Sequence, residues 1–277
     1  MPAQAMTQTT FGKDLAHEID PVAQLHLTYV YGPVPSRRLG VSLGVNPLPV
    51  ETKVCNFDCP YCECGWTVSD RPAGRLPSVE TVAAELEAKL AECQAQGVRL
   101  DAITFAGNGE PTLHPSFRQM IEASCALRDA YAPQAKVAVL TNATRLRQPN
   151  ARAGLMRADI RQFKLDAGTE AMFRRVDRPF GALTLARIVD DICAFDAPKM
   201  LQSMFFRGQS AGAPIDNAAP EEVEAWLQHV ARIRPTEVHL YSLDRTPAEA
   251  TLEKVSRAEL EAIAERVREL GVRAEVF

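Results

Sequence analysis

The sequence predicts an α/β fold in which one parallel sheet is covered by outer helices. Short apolar segments alternate with longer segments whose apolar residues recur at helical spacing, and this alternation is typical of strand–helix repeats. Six such repeats follow one another, enough for the sheet to curl into an open barrel with right-handed crossovers. Of the 277 residues, 46% are hydrophobic and 24% charged, as in ordinary globular proteins. We predict one domain over residues 31–277 after a polar N-terminal arm, residues 1–30.

The segment 31–40 precedes the first repeat and is rich in proline and glycine. It is predicted to be an ordered loop, because neither residue type suits the interior of a helix or strand. Its adjacent Arg37 and Arg38 either bind an anionic group or form a solvated turn, and the sequence leaves both open. Apolar residues then alternate with small or polar ones over 41–45, which is the period of a strand.

The helices and strands that follow are placed by their caps and their apolar spacing. Ser78 is a good N-cap for the first helix and Gly97 a good stop signal. Cys93, Cys125 and Cys193 fall on apolar helix faces, which indicates core thiols and not metal ligands. The remaining elements are predicted as strands 102–106, 136–140, 161–165, 200–206 and 237–241, helices 115–130, 151–156, 183–195, 221–233 and 257–270, and a last short strand ending at 277.

Polar or otherwise unusual residues follow each predicted strand. In parallel α/β folds the chemistry lies at the carboxyl ends of the strands, where such residues meet. A sheet with a purely structural role has no reason to collect them at one end. These residues are the cysteine group after the first strand, then Gly107–Glu110, Thr141 and Asn142, Lys164 and Asp166, Arg207 and Gly208, and finally Ser242, Asp244 and Arg245.

The cysteine group consists of Cys55, Cys59 and Cys62 at C-x3-C-x2-C spacing, with Tyr61 just before the last. Thiolates select zinc or iron–sulfur iron. A four-iron cluster normally takes four cysteines, so three of them leave one iron for a ligand that is not protein. A structural zinc site more often shows a second Cys or His pair, and none follows here. Cys64 is two residues from Cys62, a step too short for one ion or one cluster, and is predicted not to be a ligand.

The motif C-x3-C-x2-C with its preceding aromatic resembles the signature of the radical S-adenosylmethionine (radical SAM) superfamily. The resemblance implies a partial (β/α)6 barrel and a [4Fe–4S] cluster whose open iron takes SAM. It also implies reductive cleavage of SAM to a 5′-deoxyadenosyl radical, with an electron donor such as flavodoxin or ferredoxin. Within the superfamily the pattern looks most like the wyosine-synthase-like oxidoreductases. No cysteine precedes Cys55, so a single cluster is implied.

Residues for SAM follow from the same resemblance. Gly107, Gly109 and Glu110 resemble the family's glycine–glycine–glutamate motif, with Asn108 as a departure, and Glu110 would bind the methionine ammonium. The other residues assigned to SAM are Tyr61, Asn142, Lys164, Asp166 and Gln202.

The substrate is predicted to be a small molecule, a nucleotide or a peptide in the barrel mouth. Residues 145–187 carry ten Lys/Arg against four Asp/Glu, a surplus that either faces an anionic substrate or is a solvated surface. The candidate contacts are Tyr241, Asp244 and Arg245, followed by Arg174, Arg175 and Arg178.

Two other functions stay open at this point, modification of a tRNA base and a non-enzymatic zinc or iron–sulfur protein. The net charge of −4 does not favour nucleic acid. Seven cysteines in an ordinary background are typical of a reducing compartment, and no signal peptide or membrane span is visible. The protein is therefore predicted to be cytoplasmic, with no membrane partner.

Overall fold

A computed structural model describes residues 25–67 and 75–277, so most of the predicted N-terminal arm lies outside the described residues. Eleven strands occur in the described part of the chain. Their bounds are β1 Val30–Ser36, β2 Gly40–Val45, β3 Ala102–Phe105, β4 Lys136–Thr141, β5 Ile160–Lys164, β6 Met200–Met204, β7 Phe206–Ser210, β8 Ala213–Asp216, β9 Glu237–Tyr241, β10 Leu252–Lys254 and β11 Arg273–Val276.

Eight of these strands form one sheet in the order β1-β2-β3-β4-β5-β6-β9-β11, and β10-β7-β8 form a small second sheet. From β2 to β11 all neighbours in the large sheet are parallel, while β1 is antiparallel to β2. The α/β class with a mostly parallel sheet is thus confirmed. Because β2 to β11 of the large sheet run parallel, their carboxyl ends lie at one edge of that sheet.

Seven helices of the described residues connect the strands. They are α1 Val79–Ala95, α2 Phe117–Tyr131, α3 Pro149–Arg157, α4 Glu170–Val176, α5 Leu185–Cys193, α6 Pro220–Ile233 and α7 Arg257–Glu269. The predicted start of α1 is confirmed, since the Ser78 side chain accepts a hydrogen bond from the Thr81 N–H. Cys93 and Cys125 are 3% and 7% exposed in the apolar core, as predicted. Within the described residues, no helix is long and apolar enough to cross a membrane.

The prediction that residues 31–40 form a loop is wrong. Most of this segment is β1, which pairs with β2 in a hairpin that closes at Ser36 and Gly40. Pro33 and Pro35 are tolerated there because β1 is an edge strand, and an edge strand needs backbone donors on one side only. The pairing also shifts register between Tyr31 and Val34, which accommodates the irregular backbone.

Two further features were not anticipated from the sequence. The segment predicted as one strand over 200–206 is divided, and its second part begins β7 of the small antiparallel sheet. Helix α4 follows β5 with Thr169 as its N-cap, whose side chain accepts from the Met172 N–H. The small sheet and α4 surround the carboxyl ends of β5 and β6, where they add walls to the site described next.

Candidate active site at the carboxyl ends of the strands

A cavity of about 200 Å³ lies at the carboxyl ends of the strands. One part of its wall is the cysteine loop after β2, and the rest comes from the ends of β3, β4, β5 and β6. Its lining residues are Lys53, Cys55, Phe57, Cys59, Tyr61, Cys62, Ala106, Gly107, Gly109, Glu110, Leu140, Thr141, Asn142, Lys164 and Gln202. The structure therefore brings together the three predicted cluster cysteines and seven of the eight residues predicted to bind SAM.

The cysteine loop is held by backbone hydrogen bonds at both ends. The Val54 N–H donates to Asn108 O at 2.8 Å, and the Glu110 N–H donates to Val54 O at 3.0 Å. Farther along the loop, the Asp58 N–H donates to Asp177 O at 3.0 Å. These bonds tie the loop to the β3 turn on one side and to the end of α4 on the other, so the thiols are positioned by the fold.

The three thiols face the cavity from a buried setting. Cys59 is 8% exposed, while Cys55 and Cys62 are half-buried. Burial raises the pKa of the Cys55 thiol to about 12, so a metal that binds there must displace a proton. The donor set is soft and contains no carboxylate, which suits zinc or iron–sulfur iron.

The spread of the thiols favours a cluster over one zinc ion. Among the described residues, the one group of three or more metal-ligating atoms that all lie within 4.8 Å of one another is Glu237, His239 and Glu275. At least one pair among the three cysteine sulfurs is therefore more than 4.8 Å apart. A tetrahedral zinc site with Zn–S bonds of about 2.3 Å needs its sulfurs close together. A four-iron cluster attaches each cysteine to a different iron and accepts a wider spacing.

Lys53 is a buried cation beside the thiols that the sequence did not reveal. It is 4% exposed, and its Nζ donates to Gly65 O at 2.7 Å. Burial disfavours its charged form, but the thiolate charges of Cys62 and Cys55 outweigh this and raise the pKa of Lys53 above its usual value. Lys53 thus places a positive charge beside the thiols of the cavity.

Gly109 and Glu110 lie where the resemblance to the glycine–glycine–glutamate motif placed them. Gly109 has a φ of +128°, and a Cβ there would lie 1.9 Å from Val54 O, so only glycine fits against the cysteine loop. The Glu110 carboxylate is 2% exposed and accepts from the Thr141 Oγ1 and the Asn142 N–H, both at 2.7 Å. Burial raises the pKa of Glu110, while these hydrogen bonds act in the opposite direction.

Asn108 stands where the family motif has a glycine, and the structure gives a reason for this difference. Its side chain is fully buried, and its Oδ1 accepts from the His26 N–H at 2.8 Å. Its Nδ2 donates to His26 O at 3.0 Å and to Pro49 O at 2.9 Å. The amide therefore fastens the segment before β1, and the backbone of Gly107 and Gly109 forms the cavity wall.

Asn142 lines the cavity and also supports the cysteine loop. Its Nδ2 donates to Asn56 Oδ1 at 2.7 Å, and its Oδ1 accepts from the Thr144 Oγ1 at 2.7 Å. The same Nδ2 lies 3.9 Å from the Cys55 sulfur. Asn142 is thus held beside Cys55, at the end of β4 where the sequence predicted it.

Asp166 joins the cysteine loop to β5. Its carboxylate accepts hydrogen bonds from the Tyr61 hydroxyl and the Lys164 ammonium, and from the Met204 N–H at 2.9 Å. Lys164 also pairs with Asp177 at 3.0 Å and lies 4.3 Å from the centre of the Tyr61 ring. Burial disfavours the charged form of Lys164, but the two aspartates raise its pKa well above its usual value. Both Asp166 oxygens are engaged by protein donors, and its contact with SAM stays a prediction.

The residues predicted for substrate are dispersed. Tyr241 ends β9 and faces Arg38, whose guanidinium carbon lies 4.6 Å from the ring centre. Asp244 pairs with Arg37 at 3.2 Å, and Arg245 pairs with Glu63 at 2.6 Å. None of these three predicted residues lines the cavity itself, and their contact with substrate stays a prediction.

The three predicted arginines near α4 also lie outside the cavity lining. Arg174 pairs with Glu170 on the exposed side of α4, and Arg175 donates to Pro214 O at 3.2 Å. Arg178 donates to Ser210 Oγ at 2.7 Å. Their contact with substrate stays a prediction.

Comparison with known proteins agrees with this geometry. The profile of the Radical SAM superfamily matches residues 51–190, which include the cysteine loop and the ends of β3, β4 and β5. The chain belongs to the radical SAM superfamily. The superfamily predicted from the cysteine motif is thereby confirmed, and with it an iron–sulfur centre and SAM as the cofactors that this membership implies.

The chain also resembles proteins from other organisms. It is 34% identical over 170 residues to the UPF0026 protein MJ1312 of Methanocaldococcus jannaschii, covering 61% of this chain and 50% of that protein. It is 29% identical over 243 residues to a UPF0026 protein of Helicobacter pylori, covering 86% of this chain and 73% of that protein. The UPF0026 relatives are wyosine-synthase-like members of the superfamily, as the sequence predicted. This chain spans half the length of MJ1312.

A solved structure shows the same fold. Streptococcus suis SuiB bound to S-adenosylmethionine superimposes with a TM-score of 0.58 at 15% identity, over 84% of this chain and 50% of that chain. At this identity the similarity concerns the fold alone, a partial barrel of the radical SAM type.

Proposed function

We propose that this protein is an enzyme in which Cys55, Cys59 and Cys62 bind a [4Fe–4S] cluster and SAM occupies the remaining iron. The observation that carries the proposal is the shared cavity. Three thiols form one part of its wall, and the glycine–glutamate turn, Asn142 and Lys164 form the rest. When bound, the cluster and SAM supply a one-electron reductive cleavage that releases methionine and a 5′-deoxyadenosyl radical, which abstracts hydrogen from an organic substrate.

The residues of the chain fit these groups. Gly109 lets the β3 turn lie directly against the cysteine loop, because a Cβ there would meet Val54 O at 1.9 Å, and the turn thereby forms the cavity wall beside Cys55. The Glu110 carboxylate, buried at the cavity wall, attracts the ammonium of methionine. SuiB, which has the same fold, is described bound to S-adenosylmethionine, and this supports a SAM site in the barrel.

Other residues hold the site without touching the reacting atoms. The Tyr61–Asp166 hydrogen bond fastens the loop that carries the cysteines to the end of β5. Lys164 pairs with both Asp166 and Asp177 in a buried setting, so it partly offsets the negative charge of the two carboxylates beside the thiols. Burial of Cys59 limits the access of water and oxygen from that side.

The second candidate function is tRNA modification, which the basic stretch 145–187 favoured in the sequence. Against it, two arginines of this stretch are paired with nearby acidic residues, Arg147 with Asp191 at 2.5 Å and Arg152 with Asp196 at 3.1 Å. We propose an organic substrate in the barrel mouth, a small electron donor such as flavodoxin or ferredoxin, and a cytoplasmic setting.

The test is SAM cleavage by the reconstituted protein. Iron and sulfide are incorporated without oxygen, the protein is reduced, SAM is added, and 5′-deoxyadenosine is measured by chromatography. We expect cleavage in the wild type and neither cluster nor product in Cys59→Ala. Cys64→Ala is the matched control, because the Cys64 sulfur lies near Gly107 O at 3.5 Å and is predicted not to be a ligand.

Two results would overturn the assignment. A wild-type protein with a full complement of iron that forms no 5′-deoxyadenosine contradicts the proposed reaction. Loss of the visible cluster absorbance in Cys64→Ala contradicts the assignment of ligands, because that variant keeps all three residues of the C-x3-C-x2-C motif.

A further inference from the structure

Two adjacent arginines at the turn of the β1–β2 hairpin have different surroundings. Arg37 is exposed and pairs with Asp244 at 3.2 Å. Arg38 is half-buried, and its Nη1 donates to the Gln202 Oε1 at 2.8 Å. The Ser36 hydroxyl fixes the turn by accepting from the Arg38 N–H at 3.3 Å. The hairpin therefore directs one arginine to the rim and the other to the barrel wall.

The position of Arg38 is adjacent to the SAM cavity. Gln202 is paired in register with Lys164 on β5 and with His239 on β9. Tyr241 is two residues beyond His239, so it shares this face of the sheet. Gln202 and Lys164 line the cavity, while the Arg38 guanidinium lies over the Tyr241 ring at 4.6 Å from its centre. Arg38 thus extends the cavity wall beyond the lining contributed by β5 and β6.

Arg38 also differs from its cationic neighbours in charge balance. Lys164 is neutralised by Asp166 and Asp177, and Arg37 by Asp244. Over residues 25–67 and 75–277, Arg38 forms no ion pair; its side-chain contacts are the uncharged Gln202 and Tyr241. A partly desolvated cation without a counter-ion is a favourable place for a bound anion.

The chemistry of the guanidinium selects the kind of anion. It has five N–H donors in a planar fork, and its contacts with Gln202 and Tyr241 leave donors available. This fork matches the two oxygens of a carboxylate or of a phosphate.

We propose that Arg38 binds an anionic group of the substrate, a carboxylate or a phosphate, at the β6 side of the cavity. Gln202 and Tyr241 orient the guanidinium. The proposal deepens the proposed function and rests on it, because the substrate must lie beside SAM for hydrogen abstraction.

The test measures binding of two anions, inorganic phosphate and acetate, to the cluster-loaded protein by NMR line broadening of the anion signal. Arg38→Gln is expected to weaken binding at least about tenfold, because it removes the charge and the fork. Arg37→Gln is the matched control, since it removes the same charge from the same turn, and we expect a change below about twofold because that charge is exposed and screened. Phosphate and SAM are expected to bind the wild type together.

The comparison of phosphate with acetate distinguishes the two kinds of anionic group that the substrate could carry. Binding of phosphate alone supports a phosphorylated substrate, and binding of acetate alone supports a carboxylic acid. The proposal is overturned when the wild type binds neither anion, or when Arg37→Gln weakens binding as much as Arg38→Gln. It is also overturned when saturating SAM displaces the anion, because Arg38 would then hold the SAM carboxylate. Absence of 5′-deoxyadenosine is a separate result that refutes the proposed function, since anion binding is measured without turnover.

Discussion

Replacing Gly109 with alanine tests the junction between the β3 turn and the cysteine loop. The backbone there has a φ of +128°, and the new Cβ would lie 1.9 Å from Val54 O. That oxygen accepts the Glu110 N–H at 3.0 Å. The chains must separate to admit the methyl group, and Cys55, which follows Val54, must move with them.

The expected cost can be worked from these contacts. Holding a residue other than glycine at such a φ costs about 1–3 kcal/mol. Loss of the hydrogen bond to Val54 O adds about 1 kcal/mol. The sum is about 2–4 kcal/mol, and for a chain of this size 1 kcal/mol lowers Tm by about 2–4 °C. We therefore expect Gly109→Ala to lower Tm by about 10 °C and to reduce the iron bound per chain.

Gly97→Ala is the matched control for this variant. Gly97 also has a positive φ, +67°, but a Cβ there would have no atom within 4 Å. Its cost is the backbone strain alone, about 1 kcal/mol, or about 3 °C in Tm. Thermal unfolding by circular dichroism and iron analysis, both without oxygen, provide the measurements. Equal losses of Tm in the two variants, or full iron content in Gly109→Ala, would refute the close approach described above.

Two further predictions concern residues next to the site. Asn108→Gly restores the glycine of the family motif and removes three hydrogen bonds of the Asn108 amide to His26 and Pro49. We expect it to lower the free energy of unfolding, measured in urea, by about 2–4 kcal/mol. Unchanged stability with tighter SAM binding would show instead that the amide obstructs the cavity. Lys53→Met is expected to lower the midpoint potential of the cluster by about 50 mV, since a nearby positive charge stabilises the added electron by about 1 kcal/mol. The potential is measured by redox titration with electron paramagnetic resonance, and an equal change in Lys89→Met, at an exposed position of α1, would contradict a local effect.

The strand–helix repeats were accessible from the sequence because the signals for them are local. Periodic apolar residues and caps such as Ser78 act within one element, so the elements were recognised before their arrangement was known. The prediction for residues 31–40 was wrong because proline indicates only a missing backbone donor and glycine only an unusual backbone conformation. Whether a strand tolerates that depends on its position in the sheet, and here β1 lies at the edge.

The residues predicted to bind SAM show the same difference between local signals and long-range contacts. Gly109, Glu110 and Asn142 were predicted from a motif and from strand ends, and all three line the cavity. Asp166 was assigned to SAM by its place after β5, but it is absent from the cavity lining, and its carboxylate joins Tyr61 to Lys164. Sequence spacing places a carboxylate at a strand end, but only the tertiary structure decides whether it faces the cavity.

The sequence by itself determined the superfamily, and it brought Cys55, Cys59 and Cys62 forward as candidate ligands, because C-x3-C-x2-C is a local arrangement whose chemistry needs few other residues. Only the tertiary structure decided which charges stay unneutralised around that arrangement. Lys53 and Arg38 are ordinary basic residues in the sequence, and the neighbours that bury Lys53 or leave Arg38 without a carboxylate come from distant parts of the chain. Burial and charge pairing depend on such long-range contacts, and no local spacing records them.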